Sequence, residues 1–146
     1  MKDQCLIFSL IEPWESNPRK PSTVAIAESI APDGGKIICI EPSVLSIYAL
    51  IKYPRRILNY LIGRYWFRKV DDNIYAFMPF TVEHLYISNK FLILRTINKY
   101  LLKKQLIKII KQIDCEPVNS IFVLHRPELV FLMGLLNERG TVYECQ

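Results

Sequence analysis

Glycine is scarce in this chain: 5 in 146 residues, at positions 34, 35, 63, 134 and 140. No two of them are spaced to form a GxGxxG dinucleotide turn, and none begins a GxxxxGK[ST] phosphate loop, so both nucleotide-binding signatures are excluded. Long hydrophobic runs are also missing; nothing approaches the roughly 18 consecutive apolar residues that a membrane-spanning helix needs. The apolar stretch Cys5–Ile11 is too short for a secretory signal and no small-residue cleavage site follows it, so the sequence predicts a cytoplasmic protein. Histidine is limited to His84 and His125, far apart, and the 4 cysteines (Cys5, Cys39, Cys115, Cys145) contain no CxxC. A zinc site of ordinary Cys/His spacing is therefore not expected. Without a secretion signal, and with three of the four inside apolar runs, the cysteines read as buried free thiols rather than as a disulfide framework. Asp71-Asp72 has no third carboxylate nearby and reads as a turn, so no metal site is expected.

What is present suffices for a core. The hydrophobic fraction is 51% and the mean hydropathy +0.15, too apolar for a disordered chain, and the length is that of one domain spanning 1–146. Residues 4–11 form a nearly continuous apolar run stopped by Glu12-Pro13, the pattern of a strand buried on both faces of a parallel sheet. Pro21 to Ala31 reads as a helix, with Pro in its first turn and Pro32-Asp33-Gly34-Gly35 ending it. Lys36–Glu41 is a second buried-type strand, completing a right-handed βαβ unit. Val44–Gly63 reads as mainly helical with a break near Pro54. Arg64–Lys69 and Ile74–Met78 alternate around Asp71-Asp72-Asn73 as a strand pair. Asn89–Ile113 is the clearest helix, its apolar positions taken as Leu94, Ile97, Leu101, Leu106, Ile109 and Ile113. A strand over Asn119–Leu124, a short helix over Glu128–Asn137 and a last strand over Thr141–Cys145 follow. The alternation predicts an α/β domain with a mostly parallel sheet. Because no covering helix follows the last strand, the sequence also suggests a truncated unit whose sheet is completed by another segment or chain.

The charge is unevenly placed. Of 19 Lys and Arg, thirteen fall in two segments without acids, six between Lys52 and Lys69 and seven between Lys90 and Lys111. The remaining six against all 14 acids leave the rest of the chain at −8, within a net charge of +5. On the long helix, Arg95, Lys99, Lys103 and Lys108 fall close to one face opposite the assigned apolar one. That face suits either ordinary solvation or an anionic membrane surface. Nucleic acid is the disfavoured partner, since no stacking aromatics interleave with these charges and no reader motif is present.

The order of segments carries a resemblance. A strand closed by Glu12-Pro13-Trp14, a polar loop, Lys20-Pro21 opening a helix, and Ile37-Ile-Cys-Ile-Glu41-Pro42 resemble the N-terminal half of bacterial GT-B glycosyltransferases of the glycosyltransferase 4-like type. Ile121-Phe-Val-Leu-His-Arg-Pro127 resembles their later strand ending in a Pro turn, and Val142-Tyr-Glu-Cys145 their Val-Tyr-Asp-Cys strand. Lys20 stands where that family often has Arg, Ser22-Thr23 where it often has His or Gln, and Glu144 where it has Asp. The resemblance implies a Rossmann-like three-layer domain, half of a GT-B architecture, that binds the acceptor. The nucleotide-sugar donor would be held by a C-terminal Rossmann-like domain absent from this sequence and supplied separately. By resemblance the parent enzyme is retaining, metal-independent and free of a resident cofactor, acting on a cell-envelope glycan or lipid-linked acceptor at the inner face of the membrane.

Ligands of open α/β sheets bind beyond the carboxyl ends of the strands. That rule selects Glu12, Trp14, Asn17, Arg19 and Lys20 after the first strand, Glu41 and Ser43 after the second, and His125 and Arg126 after the later one. For glycosyl transfer, His125 is the candidate base for an acceptor hydroxyl. Arg19, Lys20 and Arg126 are candidate cations for a departing diphosphate, and Trp14 a platform for a sugar face. The competing readings are a loop histidine at 125 and a Trp14 that packs over the first helix. The rival functions are a non-enzymatic α/β module that docks a partner, and a small stand-alone enzyme centred on His125.

Overall fold

The computed structural model describes residues 4–10, 14–16, 20–32, 34–41, 45–46, 51, 54–55, 58, 66–82, 90–125 and 127–144. Its strands are β1 (Cys5–Ser9), β2 (Lys36–Ile40), β3 (Leu45–Ser46), β4 (Phe67–Asp71), β5 (Ile74–Phe77), β6 (Phe80–Thr81), β7 (Ser120–Leu124) and β8 (Gly140–Tyr143). Its two long helices are α1 (Lys20–Ile30) and α2 (Leu92–Gln112), with 3-10 turns at Trp14–Ser16, Pro117–Asn119 and Pro127–Leu132. Six strands form one sheet in the order β4-β5-β2-β1-β7-β8, and β3 pairs with β6 in a separate two-stranded sheet. Within the large sheet every pairing is parallel except the β4–β5 hairpin. The protein is thus an α/β domain built on a mostly parallel mixed sheet.

The unbroken apolar runs of β1 and β2 reflect burial on both faces. Cys5, Ile7, Ile38, Ile40, Phe122 and Leu124 point to one side, where Leu102, Leu106, Ile109 and Ile110 of α2 pack. Leu6, Phe8, Ile37, Cys39 and Val123 point to the other, where Ala27 of α1 packs. Each such side chain taken from water contributes about 1.5–3 kcal/mol before entropy is charged against it. The segment between β7 and β8 adds Leu129, Leu132, Leu135 and Leu136 to the α2 side. Opposite faces follow from one hand of crossover. The chain steps one way across the sheet from β1 to β2 and the other way from β7 to β8.

The structure corrects three parts of the sequence reading. Leu45–Ser46, expected in a helix, is a strand paired with Phe80–Thr81; Ile51, Pro54, Arg55 and Leu58 are helical as expected, and the rest of 44–63 lies outside the described residues apart from these. The helix expected over Glu128–Asn137 is a 3-10 turn followed by irregular turns. There Gly134 and Asn137 take φ of 74° and 52°, and the Glu138 carboxylate accepts hydrogen bonds from the Gly134 and Leu136 N–H groups. The local acceptor satisfies donors that a helix would otherwise pair. Thirdly, α2 is turned from its expected phase: Asn98, Leu102, Leu106, Ile109 and Ile110 are buried, while Ile97 is 40% exposed.

Polar side chains fix that phase. The buried Asn98 amide oxygen accepts the Val82 N–H at 2.8 Å. Gln105 accepts the Phe80 N–H and donates to the Phe80 carbonyl, both at 2.9 Å. Two amides of α2 therefore satisfy backbone groups of β6 and its neighbour, which an apolar face could not do. At the far end Asp114 takes φ 55° and the Cys115 N–H reaches back to the Ile110 carbonyl at 3.0 Å, a Schellman closure made with aspartate in place of glycine.

Cys5, Cys39 and Cys115 are free and buried. A hydrogen bond from Cys115, together with burial, pushes the Cys5 thiol up; burial and the Glu41 carboxylate push Cys39 up. All three are expected to resist a thiol reagent such as Ellman's in the native protein and to react once urea unfolds it. Leu106→Ala should cost about 2–5 kcal/mol in urea unfolding. Ile97→Ala should cost about 1 kcal/mol or less; the reverse ranking would restore the phase expected from sequence.

Candidate functional site

Strand order reverses at β1, whose neighbours are β2 and β7; open α/β sheets bind ligands beyond the carboxyl ends of the strands at such a reversal, here β1 and β7. Ser9 ends the first strand and His125 follows the second. The His125 backbone N–H points at Ser9 Oγ across 3.5 Å, a long contact. The His125 ring lies beside Phe8, centroids 6.0 Å apart, and its side chain is only 6% exposed.

The parallel pairing of Leu124 with Tyr143 places the next residue of each strand side by side. The Glu144 N–H donates to the Leu124 carbonyl at 3.0 Å, and Glu144 Oε2 stands 2.5 Å from His125 Nδ1. A carboxylate so placed orients the ring, and the approach is close rather than aligned as a hydrogen bond. Such a dyad is competent to take a proton from a hydroxyl and to stabilise the imidazolium that results. The sequence reading found His125 and missed its partner, because the 124–143 register that joins them is a property of the sheet. The signal was the matching position of the two residues just beyond their strands.

A second polar cluster sits at the carboxyl end of β2. Glu41 is fully buried at its side chain and 2.8 Å from Arg68 Nη2. Its Oε1 accepts the Trp14 N–H at 2.9 Å and its Oε2 accepts Arg68 Nη1 at 3.0 Å. Arg68, on β4, also pairs with Glu15 at 2.6 Å. Both Glu41 oxygens are therefore engaged, and the residue positions the Trp14 turn and β4 rather than a ligand. Burial opposes Arg68's charge, but the hydrogen bonds it donates to the Glu41 and Glu15 carboxylates prevail and hold it more firmly protonated. Partial burial raises Glu15's proton affinity, yet its bonds to Arg68 outweigh this and set its carboxyl below the ordinary value.

Trp14, the expected sugar platform, is 7% exposed and packs in the α1-side core with Phe8, Leu10, Ala27 and Cys39. Lys20 lies over its ring at 5.4 Å and donates to the Glu15 carbonyl at 3.2 Å. The pair thus closes the β1–α1 connection, and the platform role is withdrawn. Glu12, Asn17, Arg19, Ser43, His84 and Arg126 lie outside the described residues. On α2, Arg95 and Lys99 are half-buried while Lys103, Lys104, Lys108 and Lys111 are exposed. The expected basic face is therefore corrected, losing its first two members and gaining Lys104 and Lys111.

A cavity of about 200 Å³, lined by Val24, Ala27, Gly35, Ile37, Asn73 and Ile74 among others, lies at the amino ends of the strands. It is at the opposite end of the sheet from His125, and nothing in the sequence pointed to it. Among the described residues no three His, Cys, Asp or Glu side chains are gathered to hold a metal.

Removing Arg68 would leave Glu41 buried without its counter-cation. Arg68→Ala is expected to cost about 3–5 kcal/mol in urea unfolding, and Arg68→Met with Glu41→Met to recover much of it. Glu15 is depressed, so its contribution is present above the ordinary carboxyl value of 4.5 and lost as pH falls through the lower folded value. That contribution is small, since its side chain is 63% exposed. Acid titration of Glu15→Gln should accordingly show a slightly shallower stability loss below about pH 4.5 than the parent.

Compared with protein-family models, curated proteins and solved structures, the chain finds no match. The residues and their geometry carry the functional argument alone.

Proposed function

We propose that this chain is the acceptor-side, Rossmann-like domain of a GT-B-type glycosyltransferase, in which His125, oriented by Glu144, takes the proton of an acceptor hydroxyl. The observation that carries the reading is the 2.5 Å Nδ1–Oε2 approach of His125 and Glu144 beside the strand-order reversal at β1. The segment order through Glu41-Pro42 and His125-Arg126-Pro127 supports the family, and the acceptor class follows from it: a glycan or lipid-linked sugar of the cell envelope.

In the step proposed, the acceptor oxygen bonds to the anomeric carbon of the donor on the face the diphosphate leaves, as the bond from that carbon to the diphosphate breaks, so that configuration is retained. The nucleoside diphosphate leaves with the electron pair, and His125 Nε2 receives the hydroxyl proton. Glu144 holds the imidazolium formed. Lys20, engaged over Trp14, is not assigned to the diphosphate; Arg19 and Arg126 remain the cations proposed for it. The donor itself would be held by a second Rossmann-like domain, so these 146 residues alone bind acceptor without transferring sugar.

The test titrates the purified chain with a short polyprenyl-diphosphate-linked sugar and with soluble oligosaccharides, following imidazole nitrogens by NMR. One of these probes should perturb His125 Nε2, and His125→Ala should weaken its binding about tenfold, the worth of one good polar contact. Turnover of a nucleotide sugar by the chain alone, or an unperturbed His125 with every probe, would overturn the reading.

A further inference from the structure

We propose that the solvent face of α2 docks the protein onto an anionic lipid bilayer, independently of the glycosyl-transfer reading. The face is defined by Ile93, Ile97, Tyr100, Lys104, Lys108 and Lys111, spaced four, three, four, four and three residues apart and so on one side of the helix. Its first half is apolar and open to water: Ile93 is 75% exposed and Tyr100 56%, with Leu92 beside them at 68%. Its second half is basic, and the 90–111 segment contains no acid. The halves adjoin, with Lys104 Nζ 4.7 Å from the Tyr100 ring centroid.

Folding does not require this arrangement. The core of α2 is formed by the opposite side, Leu102, Leu106, Ile109 and Ile110, and exposed large aliphatic side chains in a cluster mark a contact surface. Charge complementarity selects the occupant. A second copy in antiparallel register would set lysines against Ile93 and Ile97, and in parallel register against other lysines, with no carboxylate on either face. A nucleic acid would answer the lysines and leave the aliphatic half in water. A bilayer with anionic headgroups presents phosphates at its surface and hydrocarbon just beneath, so it meets both halves at once. No helix among the described residues is long and apolar enough to cross a membrane, so the contact is one of surface seating, with the Leu92 end dipping below the headgroups.

The experiment is co-sedimentation of the intact chain with phosphatidylcholine vesicles and with vesicles containing equal parts phosphatidylglycerol. Binding is expected to the anionic vesicles only, and to fall at least about tenfold in roughly 0.5 M salt, where surface charges are screened. Lys104→Gln with Lys108→Gln should weaken it about tenfold. Ile93→Ser with Ile97→Ser should also weaken it while the chain stays folded, its urea midpoint lowered only slightly because Ile93 is 75% and Ile97 40% exposed. Equal binding to neutral and anionic vesicles, no binding to either, or indifference to Ile93→Ser with Ile97→Ser would overturn the proposal. So would a lipid-free dimer, seen by light scattering, that the same pair of substitutions dissolves.

Discussion

The double burial of β1 is the constraint on which the rest depends. Cys5, Leu6, Ile7 and Phe8 have no exposure at all, and they point alternately to two different cores. A strand so placed must have a neighbour on each edge and cover on each face. The edges are met by β2 and β7, the faces by α1 and α2. Because the two neighbours are reached in opposite directions across the sheet, the chain order reverses at β1. That reversal sets Ser9 and His125 at the strand ends where open α/β sheets take ligands.

Electrostatics then divide the molecule into regions with different tasks. At the end of β2 a buried carboxylate and a guanidinium neutralise one another and tie a turn, a strand end and an edge hairpin together. At the end of β7 the Glu144 carboxylate stands 2.5 Å from the His125 ring. On α2 Lys103, Lys104, Lys108 and Lys111 are exposed, with Lys108 5.7 Å from the Trp66 ring. A basic count taken along the chain mixes these situations, since Arg68 is an internal ion-pair partner and Lys104 is a surface charge. Only the second kind is available to a partner.

Much of the fold was legible because buried parallel strands leave an unambiguous trace. Cys5–Ser9 and Lys36–Ile40 stand out as apolar runs ended by Pro or Glu-Pro, and the Asp71-Asp72-Asn73 turn falls where the β4–β5 hairpin reverses, with Asn73 at φ 57°. The phase of α2 was not legible. Residues 91–97 are apolar on nearly every side, so periodicity admits more than one face, and the choice fell to Asn98 and Gln105, polar residues that bond the backbone of β6 and its neighbour. Leu45–Ser46 was misjudged for a similar reason: two residues take strand geometry when a distant pair, Phe80–Thr81, is there to receive them.

The candidate site shows the same division. The sequence by itself determined the fold class, the strand after which His125 falls and the uneven placement of charge, because these depend on composition and on contacts close along the chain. Tertiary structure decided that Glu144 stands beside His125, that Glu41 is consumed by Arg68 and the Trp14 turn, and that Trp14 is core. It also decided which lysines of α2 see solvent. Each of these turns on a pairing between residues far apart in sequence, 27 positions for Glu41 and Arg68, and register across a sheet is set by the packing of whole strands rather than by any local signal.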